Sequence, residues 1–281
     1  MPDLHAAVAD LPLAFVDVET TGLSPRYGDR VCEIAVLRVE GDEPADALQQ
    51  LINPLRPISP GAQAVNGISA EMLRDAPIFH DVADRLLALC EGAVLVAHNA
   101  PFDLSFLTAE FAYAGLRAPD WITLDTLSLA RGLLDVPSYS LGALAQALDV
   151  RVHGRAHRAM VDVLLTRGVF ARLAQALDAR GALTLGDYLR AQGGRIALPG
   201  APAVDLPPAI ERGLREGCLL WLRYVAEDGV ESRRFVRPLA VQPQGGHWVL
   251  VAHCTLRDAR RHFRLDRILE ADVMTEDAPL L

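Results

Sequence analysis

The apolar segment that begins at Leu13 carries two acidic residues at its end, Asp17 and Glu19. Its composition predicts a β-strand, and alternate residues of a strand point to the same face, so both carboxylates are expected on one side. Surface carboxylates on an edge strand are the ordinary explanation of an Asp-x-Glu pair. Here the preceding residues are apolar enough for a central strand, and a buried carboxylate pair calls for a cation.

A second acidic position, Asp103, follows the short apolar run Ala93–Ala97 and the segment His98–Asp103. Pro101 predicts the start of a helix there, which places Asp103 in the first helical turn. An acid at a helix N-terminus stabilises the helix by about 0.3–1 kcal/mol, so Asp103 alone does not require a function.

A third motif joins His157 to Asp162. Five residues of α-helix turn through about 500°, which would leave the two side chains about 140° apart. If both act at one site, His157 must therefore lie in a loop before the helix that carries Asp162. A solvent-facing histidine and an exposed helical aspartate are the alternative explanation.

Apolar patterns and turn residues predict alternating strands and helices up to about residue 177, which is typical of an α/β domain with a central mixed sheet. The predicted strands are Leu13–Val18, Val31–Val39, Leu48–Ile52, Ala93–Ala97 and Ile122–Leu124, and the predicted helices are Ser69–Leu73, Asp81–Leu89, Phe102–Phe111, Ser140–Leu148 and Arg158–Leu177.

Residues 193–208 contain four Pro and three Gly, which predicts a linker between a domain at 1–192 and a smaller domain at 209–275. The second domain is expected to be a small β-barrel or sandwich, because its apolar segments are short and separated by turns. The predicted elements of this domain are a helix at 209–216 and strands at 219–225, 232–236, 247–254 and 261–265.

The order Asp-x-Glu, His-Asn-x-x-Phe-Asp and His-x-Ala-x-x-Asp resembles the DEDDh exonucleases, which include the proofreading ε subunit of bacterial DNA polymerase III. The resemblance covers about residues 11–178, with further similar stretches at 20–23, 66–69 and 125–126. A sister branch has a tyrosine where this chain has Arg158. The resemblance implies an RNase H-like fold with a mixed five-stranded sheet flanked by helices.

The same resemblance implies two divalent cations, Mg²⁺ or Mn²⁺, bound by Asp17, Glu19, Asp103 and Asp162, with His157 as general base. The expected reaction releases nucleoside 5′-monophosphates from the 3′ end of single-stranded DNA. By resemblance, the terminal nucleotide would be bound by the following residues: Thr20, Thr21, Leu23, Asn99 and Phe102.

Residues 209–275 resemble a WYL domain, a small Sm-like β-barrel, although Val249 replaces the tyrosine of the motif that names it. The matching residues are Tyr224, 237–239, Trp248, Leu250 and 263–268. We expect this domain to bind nucleic acid or a regulatory ligand through six residues, Trp248, His253, Arg257, Arg261, Arg264 and Arg267. A solvated charged hairpin is the alternative.

Charge is unevenly distributed along the chain. Residues 1–200 contain 16 Arg and 24 acidic residues, whereas residues 209–275 contain 11 Arg and nine acidic residues. All 27 basic residues are arginine, so each fixed positive side chain is a planar guanidinium. The acidic domain is expected to hydrolyse the nucleic acid, and the more basic domain is expected to bind it.

The remaining features limit where the protein works and what it does. Four scattered cysteines without a Cys-x-x-Cys pair argue against a zinc site and a disulfide framework, and the N-terminus does not resemble a signal peptide. We therefore expect a cytoplasmic protein without membrane contact. An exoribonuclease, a polymerase proofreading subunit and a nucleic-acid-sensing regulator are alternative functions. Nothing in the C-terminal region resembles a short tail for attachment to a polymerase.

Overall fold

The structure is a computed structural model that describes residues 2–25, 28–152, 154, 157–197, 206–227, 229–244 and 247–274. The chain divides into two compact units. The first comprises residues 1–23, 29–107 and 119–199, and the second comprises residues 24–28, 108–118 and 200–281.

The first unit is built on a five-stranded sheet in the order β3-β2-β1-β4-β5. The strands are β1 (Leu13–Thr20), β2 (Val31–Glu40), β3 (Glu43–Leu51), β4 (Val94–Ala97) and β5 (Thr123–Asp125). The first three strands are antiparallel, and β4 and β5 continue the sheet in parallel with β1. The predicted mixed five-stranded sheet is therefore confirmed, and β1 lies at its centre.

Eight helices accompany this sheet among the described residues. They are α1 (Pro60–Asn66), α2 (Ala70–Leu73), α3 (Phe79–Cys90), α4 (Ala100–Tyr113), α5 (Thr126–Leu133), α6 (Leu141–Ala147), α7 (Ala159–Asp178) and α8 (Leu185–Ala191). Side chains of Ser69 and Ser140 cap α2 and α6, as Ser commonly does at a helix N-terminus.

One face of the sheet carries a large apolar core formed with α5, α6, α7 and α8. Leu13 and Phe15 belong to this core, and Phe15 makes an edge-on contact with Phe170 of α7 at 5.7 Å between ring centroids. Because alternate residues of β1 share a face, Asp17 and Glu19 extend the same face beyond the apolar core. The sheet thus directs both carboxylates toward the N-terminal end of α7.

The second unit contains α9 (Pro208–Glu216) and a five-stranded antiparallel sheet in the order β10-β6-β7-β8-β9. Its strands are β6 (Leu220–Val225), β7 (Glu231–Gln244), β8 (His247–Cys254), β9 (Ala259–Arg264) and β10 (Ile268–Val273). Ile210 and Leu214 of α9 join the sheet's own core on one face. This arrangement fits the small β domain expected from the sequence.

Several elements differ from the predictions. Strand β7 extends to Gln244 instead of ending at Val236, because a register shift near Pro238 accommodates a residue that cannot donate a backbone hydrogen bond. Helices α1, α5 and α8 and strand β10 were not predicted. Residues 198–205 of the predicted linker lie outside the described residues. Within the part of the chain that the structure describes, every helix falls short of the length and hydrophobicity that a membrane-spanning helix needs.

Candidate active site

Asp17 and Glu19 lie at the C-terminal end of the central strand. In the antiparallel pairing with β2, Asp17 is opposite Ala35 and Glu19 is opposite Glu33. Both acidic residues are partly buried, whereas Glu33 is fully buried. The strand therefore presents the Asp-x-Glu pair on one face, as its spacing predicted.

Asp103 meets the same strand from α4. Its Oδ1 accepts a hydrogen bond from the backbone N–H of Val18 at 3.1 Å, and only 2% of the residue is exposed. The start of α4 is fixed by Asp125, whose Oδ1 accepts from the backbone N–H groups of Asn99 (2.8 Å) and Ala100 (3.2 Å). Asp103 is thus held against the β1 strand between Asp17 and Glu19.

His157 and Asp162 have the loop-then-helix arrangement that their joint action requires. Helix α7 begins at Ala159, so His157 lies in the preceding loop, and Asp162 lies in the first turn with 8% exposure. His157 adopts a φ of 60°, a left-handed conformation that is uncommon outside glycine. Three side chains, those of Glu19, His157 and Asp162, each place one potential ligand atom within 4.8 Å of the other two.

The carboxylates of this cluster are poorly stabilised as anions. Burial, followed by the charges of Asp103 and Asp162, raises the pKa of Asp17 well above its usual value. Burial also raises the pKa of Asp103 to about 8. For Glu19, burial and the charges of Asp162 and Glu33 raise the pKa to about 7. Burial likewise raises the pKa of Asp162, against the opposing effect of His157.

Such a set of oxygen ligands fits a divalent cation. Crowded carboxylates repel one another when all are ionised, and a bound dication removes that repulsion. The Glu19–His157–Asp162 group offers three ligand atoms at a spacing that one ion can bridge. Asp17 and Asp103 add two more carboxylates to the same electrostatic cluster. The site is therefore chemically suited to metal-assisted hydrolysis.

A cleft of about 920 Å³ adjoins this cluster. Asp17, His157 and Asp162 line it together with two residues expected to bind the terminal nucleotide, Asn99 and Phe102. Its volume lies in the range of about 300–1,000 Å³ that is typical of small-ligand sites. The cleft brings the acidic cluster and a nucleotide-sized space together.

The other three residues expected to bind the nucleotide lie outside the lining of that cleft. Thr20 and Thr21 are buried, and the Thr21 hydroxyl is engaged with Asp29 Oδ1 at 3.3 Å and with the backbone N–H of Arg30 at 3.0 Å. Leu23 is 86% exposed. Leu23 is therefore exposed enough to pack against a terminal base. The Thr21 hydroxyl, in contrast, already hydrogen-bonds within the protein.

Several cleft residues were not anticipated from the sequence. Arg131 and Tyr139 line it, and the Arg131 guanidinium lies 6.0 Å from the centre of the Tyr139 ring. His98 also lines it, and its Nδ1 lies 2.9 Å from Thr126 Oγ1. Burial lowers the pKa of His98. Arg131 and Tyr139 carry no short-range motif, so only the fold could bring them here.

The six residues expected to form an accessory site are distributed over the second unit. Trp248 and His253 lie on β8, Arg257 follows it, Arg261 and Arg264 lie on β9, and Arg267 lies in a 3-10 helix at 265–267. Trp248 and His253 are five residues apart on a strand, so they point to opposite faces. The six side chains therefore do not share one surface.

Comparison with known proteins identifies two sequence families, one in each half of the chain's two-domain organisation. The sequence model of an exonuclease family matches residues 14–170, and that of the WYL domain matches residues 206–273. A DNA polymerase III subunit epsilon-like protein of Rhodobacter capsulatus is 40% identical over 194 residues, which are 66% of this chain but 27% of that protein. The chain thus spans about a quarter of that relative's length.

Two further proteins are similar to part of the chain. The DNA polymerase III subunit epsilon of Rickettsia conorii is 37% identical over 166 residues, 56% of this chain and 71% of that protein. A structure described as exonuclease X in complex with 5′ overhanging duplex DNA has 28% identity and a TM-score of 0.52. It covers 64% of this chain and 99% of its own.

Proposed function

Because the chain belongs to the exonuclease family and carries a WYL domain, we propose that it is a metal-dependent 3′→5′ exonuclease acting on DNA. The observation that carries this proposal is the convergence of Asp17, Glu19, Asp103 and Asp162 with His157 beside a nucleotide-sized cleft. The products would be nucleoside 5′-monophosphates, released one at a time.

The four carboxylates would hold two divalent cations, Mg²⁺ or Mn²⁺. When bound, such ions neutralise charge on the phosphodiester and favour ionisation of water. Their ligands come from β1, α4 and α7, three elements of one packed domain, so the acidic side chains keep their relative positions before substrate arrives. That preorganisation is what in-line attack on phosphorus requires.

His157 would take the proton from the attacking water. An imidazole both accepts and releases a proton readily, which suits a general base. The residue is exposed at the mouth of the cleft, so a proton taken from water can pass to solvent afterwards. Asp162, whose pKa is already influenced by His157, would keep the imidazole close to the acidic cluster.

The cleft supplies groups for the 3′-terminal nucleotide. Phe102 stacks near Phe106 at 4.9 Å between ring centroids and offers an apolar wall for a base. Arg131 offers a guanidinium to a phosphate, and Asn99 offers an amide. We propose that Leu23, which is 86% exposed, packs against the terminal base from outside the cleft.

A single-stranded DNA end is the proposed substrate, and DNA repair or processing is the proposed context. The relatives named above act in DNA metabolism by their names, which favours DNA over RNA. None of the four cysteines forms a disulfide, which supports a reducing compartment such as the cytoplasm.

A ladder assay tests the proposal. Single- and double-stranded DNA and RNA carrying a 5′ label are incubated with the full chain and Mg²⁺ or Mn²⁺, and EDTA serves as the negative control. Stepwise shortening from the 3′ end of DNA is the expected result. Shortening of RNA alone would make the protein an exoribonuclease. Loss of no nucleotide from any substrate would instead favour a sensing regulator that uses this domain as a scaffold.

We further propose that the second unit grips nucleic acid through the sheet face that does not form its core. Arg237, His253 and Arg260 are cross-strand neighbours on β7, β8 and β9, so they form one row on that face. Phe235, two residues before Arg237, shares this face and is paired with Trp221 of β6. Guanidinium groups beside aromatic rings suit phosphates and bases of a single strand.

Charge reversal tests this second proposal. Arg237→Glu combined with Arg260→Glu is expected to weaken binding of single-stranded DNA and to reduce its salt slope by about 1.4, at ~0.7 for each phosphate contact. Arg212→Glu with Arg215→Glu is the matched control, because both residues lie on α9, pair with Glu216 and are away from the row. Equal losses in the two double variants would indicate a general charge effect and refute the proposed face.

A further inference from the structure

Glu33 is a buried carboxylate next to the acidic cluster that the proposed reaction does not use. Only 1% of its side chain is exposed, and it accepts four hydrogen bonds. Gln49 Nε2 donates to Oε1 at 3.0 Å, and Arg158 donates from Nη2 to Oε1 at 2.8 Å and from Nε to Oε2 at 3.0 Å. The fourth donor is the backbone N–H of Ala159, 3.2 Å from Oε2.

One of these contacts makes Glu33 the cap of helix α7. The first N–H groups of a helix have no partner within the helix and are usually satisfied by the side chain of the N-cap residue. Here the N-cap is Arg158, whose side chain makes no capping hydrogen bond. Glu33 accepts from the first helical N–H instead, although it lies 126 residues earlier in the chain. Its negative charge also suits the positive end of the helix dipole.

The segment that Glu33 holds, Arg158–Ala159, directly follows His157. His157 immediately precedes Arg158 and has a left-handed backbone, which an imidazole-bearing residue adopts only when its surroundings impose it. On the other side of the loop, Gly154 approaches α7 so closely that an added Cβ would lie 2.5 Å from Val161 Cγ2. Among the described residues, Gly154 thus lies against α7, the backbone of His157 hydrogen-bonds to Asp162, and Glu33 holds the adjoining Arg158.

Stability alone does not account for this ion pair. A buried ion pair often contributes no more to folding than apolar residues of the same volume would. A bidentate guanidinium–carboxylate contact does, however, fix orientation, because two parallel hydrogen bonds leave little rotational freedom. Arg158 adopts this geometry with Glu33, so the direction in which the chain leaves α7 toward His157 is set by a residue of the sheet.

We propose that Glu33 is a positioning residue for the general base: through Arg158 and the N-terminus of α7 it sets where the His157 imidazole stands. This inference rests on the proposed exonuclease function. It also explains why Glu33 is distinct from Glu19, its cross-strand neighbour. The oxygens of Glu33 are committed to Arg158, Ala159 and Gln49, so Glu33 fixes the loop while Glu19 remains available to a cation.

A double-mutant cycle on the full chain tests this role. Glu33→Gln replaces one acceptor oxygen by an NH₂ group that faces the donors of Arg158 and Ala159. We expect kcat for a 5′-labelled single strand to fall about 10–100-fold, the usual effect of removing a partner that orients a reacting ligand. KM is expected to stay unchanged, because the nucleotide-binding residues of the cleft are untouched. In a His157→Ala background the same substitution should change kcat by less than about twofold.

Two additional variants keep the test decisive. Arg158→Lys retains the positive charge but removes the guanidinium fork, so it should lower kcat while preserving the folded state, which a thermal melt checks. Arg85→Met, which removes an exposed ion pair with Asp46 in the same domain, should leave kcat at the wild-type value. Mn²⁺ affinity, measured by isothermal titration, should be the same in Glu33→Gln and wild type.

The outcomes separate the two proposals. Wild-type kcat in Glu33→Gln, an equal loss with and without His157, or a fall in Mn²⁺ affinity as large as the fall in rate would each overturn the positioning role. A wild-type chain that hydrolyses no 3′ end overturns the exonuclease proposal, and with it the function assigned to Glu33. That result is recognised before any variant is compared.

Discussion

Removal of divalent metal should make the first domain lose stability as the pH rises. Burial and the nearby charges of Asp162 and Glu33 raise the pKa of Glu19 from 4.5 to about 7. The folded protein therefore retains a proton that the unfolded chain releases near pH 4.5. The stabilisation is fully present below that pH and is lost as the pH rises through 7. A shift of ~2.5 pKa units corresponds to ~3 kcal/mol.

The assay is thermal unfolding in EDTA from pH 5 to pH 8.5, with Glu19→Gln as the matched control. The glutamine is uncharged throughout, so the variant should exceed wild type by less than ~1 kcal/mol at pH 5 and by ~3 kcal/mol above pH 8. For a domain of this size that difference is about 6–12 °C in Tm. Saturating Mg²⁺ or Mn²⁺ should reverse the order above pH 8, because an ion that binds only the folded state stabilises it.

Parallel Tm profiles for wild type and Glu19→Gln in EDTA would refute this reasoning. They would mean that Glu19 ionises as easily in the folded protein as in the unfolded chain. The crowding of carboxylates would then not be what prepares the site for a cation. A metal-induced rise in Tm that is the same at pH 5.5 and pH 8 would contradict the argument in the same way.

Three further predictions concern activity. Asp162→Asn should lower kcat by more than about 100-fold, since loss of a residue that only hydrogen-bonds to a metal ligand already costs about 10–100-fold. Its Tm in EDTA should be unchanged or higher than that of wild type. Normal hydrolysis by this variant would show that Asp162 does not belong to the metal site. Gly22→Ala should raise KM more than it lowers kcat, because its Cβ would overlap the Asp29 carboxylate and displace the residue that holds Thr21; an unchanged KM would separate the Thr20–Leu23 loop from the substrate. A chain ending at residue 195 should keep its hydrolysis of a short single strand and bind DNA more weakly with a smaller salt slope; equal affinity would refute the gripping role.

Much of the fold could be predicted because its local signals are strong. Strand β4 and the first four residues of β1 are apolar, and serines stand at the N-caps of α2 and α6. The loop-then-helix arrangement at His157 followed from the helical repeat alone, since five residues cannot return to the same face. What these predictions share is that a few neighbouring residues determine each of them.

The unpredicted elements depend on distant partners. Helix α5 begins at Thr126, and its cap Asp125 also accepts hydrogen bonds from the start of α4, so its function is visible only in three dimensions. Strand β7 continues past Pro238 because a register shift against β8 accommodates the proline. Sequence periodicity reports neither a hydrogen bond across 26 residues nor a bulge that a neighbouring strand permits.

Glu33 shows the same limitation at the site itself. In the sequence it is one charged residue within the apolar segment Val31–Val39, without a motif of its own. Its partner Arg158 stands where another branch of the family has a tyrosine, and no local pattern links it to Glu33. The pairing of the two residues spans 125 positions and depends on the packing of α7 against β1 and β2. A buried acid in an otherwise apolar strand is nevertheless a signal, because burial of a charge requires a partner.

The contrast between Glu33 and Glu19 shows how hydrogen bonding gives two neighbouring carboxylates opposite pKa shifts. The two residues are opposite each other on adjacent strands, and burial opposes ionisation of both. Hydrogen bonds from Arg158, Gln49 and Ala159 overcome that effect for Glu33 and lower its pKa. Glu19 has only weaker compensation from Asn66 and Arg158, and its pKa rises. A carboxylate that the protein satisfies itself can fix a loop, whereas one that it leaves unsatisfied gains most from binding a cation. Arg158, together with Gln49 and Ala159, therefore makes Glu33 the satisfied carboxylate and leaves Glu19 as the one that would gain more from a cation.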